Sequence, residues 1–423
     1  MLSSDLASGT ATRDDERLLR FEEVPSYDEF YERCLVPNRP CILPASLVAH
    51  WDVVRSNSWH ATSSPTSDSQ VDFEALKHDY GTHVSPVVIS RINAEGQTEE
   101  ARTDMTIADA VDLILQFRRG NNTDGVQSIY VKDWHLIKQL SPAQLKDTPP
   151  YTVPGIFADD WMNNLATDDE GVTDKDDFRF VYAGTRGSQT LLHRDVYTSY
   201  SWSTNVVGCK TWYLFPPHTI PSLRRFPAVS TSPLVTDVAT LLSLVSDKER
   251  KEYPQLQIAL SHMQTITQHA HETVFIPSNW FHQVTNLTDC ISINRNWCNA
   301  VNLPSLYHSI VDELQHVENS LCDVRDMLSA SGEGEGWKRE FYAVVQDVAV
   351  QDAGWAWAGF WEMILHNLTH PATKAELKPA DAWVRERLLP LVRDFERRED
   401  AKWLDEGIRQ TAEKCRRLLE AQR

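Results

Sequence analysis

Hydrophobic positions change period twice along the chain, and the changes divide it into zones. From 24 to 54, "SYDEFYERCL" reads as a helix, and "VPNRPCILP" follows, where prolines end the helix and favour an extended strand. "SNSWHATSSPTSDSQ" (56–70) is a polar loop. Residues 71–120 read as mostly helical, with "TIADAVDLILQFRR" the clearest amphipathic helix, and "QSIYVKDW" (127–134) as a strand. Between 150 and 302 the pattern becomes that of short strands: "FRFVYAG", "TSYSWSTNVVG", "KTWYLFPP", "ETVFIPS", "FHQVTNL" and "CISINRNW". Gly, Pro, Asn and Asp punctuate them, which predicts a small antiparallel barrel or sandwich. An insertion at about 218–270 interrupts this zone, with some helical content and no sheet signal.

From 303 onward helical spacing returns, in "LYHSIVDELQHVENSLCDVRDML", "WAWAGFWEMILHNL" and the charged segment after it, with "SASGEGEG" as a flexible break. The pattern predicts an α+β chain in four parts. These are a flexible N-terminus (1–23), a helix-and-strand region packing on the core (24–149), a β core (150–302) and a helical C-terminal region (303–423). The aromatic stripe in "WAWAGFWEMILHNL" is expected to be core, with a dimerisation or substrate-docking surface as the alternative. Oligomeric state stays open.

Composition narrows the classes. At 423 residues, 41% hydrophobic and 24% charged, the chain is ordinary globular protein. A net charge of −19 argues against nucleic acid as a partner, since a phosphate-binding face needs clustered Lys and Arg. The first residues lack the apolar core of a secretory signal, and no apolar run reaches the roughly 18 residues a membrane span needs. Seven cysteines without a Cys-x-x-Cys pair point to a reducing compartment, cytoplasmic or nuclear, rather than to disulfides or structural zinc. The acidic loop 167–177 is expected to be solvated surface.

Candidate chemistry begins at "QTLLHRDVYTSYSW". A His-x-Asp/Glu triplet is cheap: with 15 histidines and 60 acidic residues, roughly two are expected by chance and three occur. His316 and Glu318 lie in a helical stretch, where residues i and i+2 stand about 200° apart and cannot share an ion. His50 and Asp52 follow a helical segment and have no third ligand nearby in a sheet. His193 and Asp195 open a β-rich run, where i and i+2 share a face roughly 6.5–7 Å apart. His282, in "FIPSNWFHQVTNL", supplies a third ligand from another β-run. Two histidines and a carboxylate make the facial triad of non-haem Fe(II) oxygenases, which leaves half the coordination sphere open. His269 and His271 are a weaker competing pair, in what reads as a turn. Strand alternation turns Arg194 away from the metal.

"TLLHRD", "VVGCKTWYLFPP", "HETVFIPSNWFHQVTNL" and "CISINRNW", in that order, resemble the JmjC family of Fe(II)/2-oxoglutarate oxygenases within the cupin superfold. The resemblance implies a double-stranded β-helix (jelly-roll) core, and with it Fe(II), 2-oxoglutarate and O₂. It makes His193, Asp195 and His282 the catalytic metal ligands. Lys210 matches the lysine that pairs with the far carboxylate of 2-oxoglutarate, Thr190 a hydroxyl donor, and Tyr130 a tyrosine reaching the same group. Ser201, Ser203 and Asn205 alternate on one strand face, with Ser203 standing where relatives often have asparagine. Asn294 and Asn296 share a face of the last strand, and one of the two is expected to bind the cosubstrate.

Further segments, "LVPNRPCIL", "YVKDWHL", "FRFVYAG" and "SYSWSTNV", are similar to the branch of the family that hydroxylates a lysine of the translation release factor. The implied function is therefore a protein lysyl hydroxylase with a protein partner and neither nucleic acid nor membrane. A JmjC demethylase, a cupin metalloenzyme that does not use 2-oxoglutarate and a silent binding protein are the alternatives.

Overall fold

The computed structural model describes residues 17–61, 71–93, 98–120, 125–164, 167–168, 171–172, 178–229, 232–243, 251–331, 334–371 and 374–421. Most of the expected flexible N-terminus, the second half of the polar loop 56–70 and most of the acidic loop 167–177 lie outside these residues.

Fifteen strands are present among the described residues. In chain order they are β1 (Leu19–Arg20), β2 (Cys41–Leu43), β3 (Val84–Ile92), β4 (Thr98–Thr106), β5 (Val126–Trp134), β6 (Thr167–Asp168), β7 (Gly171–Val172), β8 (Arg179–Gly184) and β9 (Gln189–Arg194). Then come β10 (Tyr200–Val207), β11 (Lys210–Phe215), β12 (Gln264–Gln268), β13 (Thr273–Ile276), β14 (Phe281–Asn286) and β15 (Cys290–Trp297). A nine-stranded sheet runs β1-β2-β13-β10-β15-β8-β5-β3-β4, a four-stranded one runs β12-β11-β14-β9, and β6 pairs only with β7. Strands from distant segments interleave in two sheets, as a jelly-roll requires, but the sheets stay open, so the expected small barrel is not a closed one.

The chain divides into two compact units. The first holds residues 1–154, 179–195 and 201–295. Its core lies between the two sheets, where Ile42, Val274 and Ile276 of the large sheet meet Trp212, Leu214, Ile266 and Val284 of the small one. Each such side chain, fully buried, contributes roughly 1.5–3 kcal/mol. The back of the large sheet is covered as well: Trp202 of β10 is buried against Trp51 and Tyr151. On β10 the alternation therefore sends Trp202, Thr204 and Val206 to one side and Ser201, Ser203 and Asn205 to the other.

Two expectations are corrected here. Residues 71–120 are helical only at Phe73–Tyr80 and Ile107–Arg118; between them β3 and β4 form an antiparallel hairpin. β4 is an exposed edge strand whose Glu, Ala and Arg are good helix formers, and only pairing with β3 makes it extended. The insertion carries β12, which pairs antiparallel with β11. The rest of the insertion packs Leu223, Val235, Val238, Leu256 and Ala259 against Phe215 and Phe281, on the outer side of the small sheet.

The helix Ile107–Arg118 starts where Thr106 accepts the Asp109 amide at 3.1 Å, a side-chain cap, and has Arg118 in its last turn. Arg118 donates from Nε to Asp289 at 2.8 Å, and Asp289 also accepts the Arg186 amide, which ties the helix to the turn before β15.

The second unit holds residues 155–178, 196–200 and 296–423. The aromatic stripe is its core: Trp357, Phe360 and Trp361 are fully buried around Tyr307 and Phe395. No helix among the described residues is long and apolar enough to cross a membrane.

Candidate metal centre and cosubstrate pocket

β9 and β14 lie side by side, antiparallel, with His193 directly opposite His282. The imidazole centroids are 4.2 Å apart. Asp195 follows β9 by one residue, so the strand rule reaches just past the strand's end. One ligand atom from each of His193, Asp195 and His282 lies within 4.8 Å of the others. The competing His269–His271 pair is not part of this cluster; His271 packs against His60 instead.

Hydrogen bonds orient the three ligands. His193 Nδ1 donates to the Leu191 carbonyl at 2.8 Å, and His282 Nδ1 donates to the Trp280 carbonyl at 3.2 Å. A carbonyl can only accept, so both rings carry their proton on Nδ1 and leave the Nε2 lone pair for a metal. Ser201 Oγ donates to Asp195 Oδ2 at 2.6 Å, which leaves Oδ1 for the ion. Burial, and then the neighbouring His282, push His193 down to about 4, so it is neutral near pH 7, the form that ligates. Arg194 turns outward as expected, its guanidinium 5.9 Å from the Phe281 ring and donating to Asn279.

A bulge in β9 decides what else faces the centre. His282 pairs with His193 and Val284 with Thr190, so Leu191 and Leu192 together oppose Gln283. In a regular strand Thr190 and His193, three residues apart, would point to opposite faces. With the bulge, His193 joins the metal cluster, Leu192 packs outward under the insertion, and Thr190 hydrogen-bonds Tyr130 of the large sheet.

Lys210, Thr190 and Tyr130, the residues expected to meet the cosubstrate, lie on β11, β9 and β5. Lys210 is buried at 2% exposure and donates from Nζ to Ser292 Oγ at 2.6 Å. Burial pushes it down to about 8, and among the described residues no carboxylate pairs with it. Cys290 interacts electrostatically with both Lys210 and Tyr130, which places the two side chains in one neighbourhood. Burial raises the Tyr130 phenol well above its usual value, so it is neutral and can donate. Tyr130 also packs tilted against Tyr182, whose hydroxyl donates to Asp133 at 2.7 Å and whose phenol is raised by burial and then by Asp133. Thr190 and His193 share one face of β9, so the hydroxyl pair Thr190–Tyr130 and the metal cluster stand on the same side of the small sheet. Two imidazoles and one carboxylate suit a divalent iron, and a buried ammonium beside the Ser292 hydroxyl suits a carboxylate cosubstrate.

The remaining expected residues fall in different places. Ser203 Oγ donates to Asn294 Oδ1 at 3.0 Å, within the pocket-facing side of the large sheet. Asn205 donates to the Gly208 carbonyl at 2.6 Å, at the β10–β11 turn. Asn296 belongs to the second unit and donates from Nδ2 to Ser199.

Ser292, Gly184 and Gly208 went unnoticed in the sequence, whereas Ser201 stands on the strand face expected to carry Ser201, Ser203 and Asn205. Ser292 stands opposite Tyr182 across β15 and β8, and only the alternation Cys290-Ser292-Asn294 hinted at its facing the pocket. Ser201's bond to Asp195 and the role of Gly184 had no local signal: a Cβ at 184 would sit 2.5 Å from Tyr130 Cδ2 and 2.5 Å from Ser188 Oγ. Gly208, at φ +93°, makes the turn before Lys210, where a side chain would overlap the Asp289 carbonyl.

A family model described as a cupin-like domain matches residues 27–302. The proteins named 2-oxoglutarate and iron-dependent oxygenase JMJD4 from Mus musculus and Homo sapiens are each 33% identical over 307 residues, 72% of this chain. The match spans 65% and 66% of their own length, so the chain corresponds to about two thirds of each. Arginine-specific demethylase JMJ20 of Arabidopsis thaliana is 30% identical over 320 residues, 71% of this chain and 61% of that protein.

Proposed function

Because the chain belongs to the cupin-like JmjC family, we propose that it is an Fe(II)- and 2-oxoglutarate-dependent protein oxygenase, specifically a lysyl hydroxylase of a translation release factor. The observation that carries the oxygenase assignment is the pairing of a three-ligand cluster with the buried Lys210 ammonium. Relatives named for iron and 2-oxoglutarate dependence support it. The release-factor assignment rests on the segments 35–43, 130–136, 178–184 and 199–206, which are similar to the branch with that activity.

His193, Asp195 and His282 would hold the iron on one face, and Lys210, Thr190 and Tyr130 would hold the far carboxylate of the cosubstrate. The chemistry supplied by such a centre is oxidative decarboxylation of 2-oxoglutarate to succinate and CO₂, coupled to insertion of one oxygen atom of O₂ into a substrate C–H bond. The protein's share is orientation and the exclusion of water. Ser201 and the two carbonyls fix the ligands' direction, the neutral Tyr130 and Thr190 supply hydroxyl contacts, and Trp212, 5.8 Å from His282, screens the triad.

The test is mass spectrometry of a release-factor fragment incubated with the iron-loaded chain and 2-oxoglutarate. A lysine that gains the mass of one oxygen atom, with one succinate formed per event, is the expected result. The similarity to a demethylase favours a second outcome, in which a methylated substrate loses its methyl group and releases formaldehyde. Succinate formation with neither modification would reject the substrate and keep the oxygenase. Absence of 2-oxoglutarate turnover with any substrate would favour a cupin metalloenzyme of another kind.

A further inference from the structure

The insertion that covers the outer side of the small sheet does more than bury apolar surface. Three of its consecutive residues make polar contacts with the two strands that carry the histidine ligands. The Leu192 amide, at the β9 bulge and next to His193, donates to the Thr236 carbonyl at 3.0 Å. Gln283, next to His282 on β14, is fully buried. Its Oε1 accepts the Val238 amide at 2.7 Å, and its Nε2 donates to Asp237 Oδ1 at 2.7 Å.

Packing alone does not call for a glutamine there. Phe281 and Leu192 already provide the apolar contacts on that side, and a buried amide is costly unless both ends are bonded. What the amide fixes is register. His193 faces His282 only because two residues of β9 oppose the single Gln283. If β9 slipped by one residue into a regular ladder, His193 would turn to the outer face. The 236–238 segment holds one residue from each strand at that point.

We propose that Gln283 is a positioning residue: through Asp237 and Val238 it couples the insertion to the His193–His282 pair and holds the bulged register in which both imidazoles reach one ion. This rests on the metal-centre assignment above. Gln283 touches neither metal nor cosubstrate; it acts through its chain neighbour His282.

Co(II) binding to the metal-free 423-residue chain, followed by visible absorption beside far-UV circular dichroism, tests the proposal without turnover. Gln283→Leu should weaken Co(II) affinity about tenfold or more and alter the absorption band while the fold persists. Val235→Ala, which loosens the same apolar cluster but leaves the polar contacts, should lower the melting temperature and leave affinity within about twofold. Gln283→Glu places a carboxylate against Asp237 and should also weaken binding. Combining it with Asp237→Asn restores a donor–acceptor pair and should recover affinity to within about threefold.

A folded Gln283→Leu protein with wild-type affinity and spectrum overturns the proposal. So does a double variant as weak as Gln283→Glu alone, which decides the matter if Gln283→Leu does not fold. Failure of the wild-type chain to bind Co(II) would instead overturn the metal centre itself.

Discussion

Replacing Lys210 with methionine should make the ligand-free protein more stable while removing most of its affinity for 2-oxoglutarate. The two effects would have opposite sign if the buried ammonium serves to pair with the cosubstrate, as proposed above. Lys210 is 2% exposed, and burial lowers it from an ordinary 10.5 to about 8. At about 1.4 kcal/mol per tenfold in proton affinity, keeping the charge buried costs roughly 3 kcal/mol. The hydrogen bond to Ser292 returns about 1 kcal/mol, so methionine, which keeps the stem volume, should gain about 1–2 kcal/mol near pH 7.

The sign follows from proton linkage. Between about pH 8 and 10.5 the unfolded chain binds more protons than the folded one, so wild-type stability contains a term that rises with pH across that window. The variant lacks the term, and its advantage should shrink there. Cosubstrate binding moves the other way, since losing one partner of a buried charge pair costs about 2–5 kcal/mol, tens of fold or more in affinity. Denaturant titration of both proteins at pH 7 and at pH 10, with calorimetric titration of 2-oxoglutarate into the metal-loaded forms, reads both effects. A variant destabilised at pH 7 with unchanged 2-oxoglutarate affinity would refute the reasoning.

Asp195→Ala should abolish coupled turnover and weaken metal binding, measured by succinate release and Co(II) titration, with the circular dichroism spectrum retained. Gly184→Ala, whose Cβ would press on Tyr130 and Ser188, should raise the KM for 2-oxoglutarate and cost about 1–3 kcal/mol of stability; an unchanged KM would separate Tyr130 from the pocket. Because the free Lys210 ammonium deprotonates near pH 8, the KM for 2-oxoglutarate should climb above that pH, by at most about tenfold per pH unit, and kinetics in overlapping buffers would show it. Trp202→Ala, behind the pocket wall, should cost about 3–5 kcal/mol through the cavity left beside Trp51 and Tyr151, seen as a lower denaturation midpoint.

The triad was legible because its chemistry is nearly local. A strand brings i and i+2 to one face, so "HRD" in a β-rich run already pairs His193 with Asp195, and "PSNWFHQV" offers a third ligand on another run. Lys210 was legible as the cation of a familiar turn, though nothing in "GCK" said that it would be buried. The β3–β4 hairpin was not legible, because Glu99, Glu100, Ala101 and Arg102 favour helix by themselves and become a strand only beside β3.

What the chain's own pattern determined was the zone of short strands, the apolar C-terminal helices and the residue types able to bind a metal and a carboxylate. Those follow from side-chain period and donor chemistry, which adjacent residues carry. Tertiary structure alone decided that β9 bulges so that Thr190 and His193 face the same way, that Ser292 meets Lys210, and that residues 236–238 hold Gln283. Each depends on which distant strands become neighbours and in what register, a choice made by burying apolar faces between two sheets rather than by any short stretch of sequence.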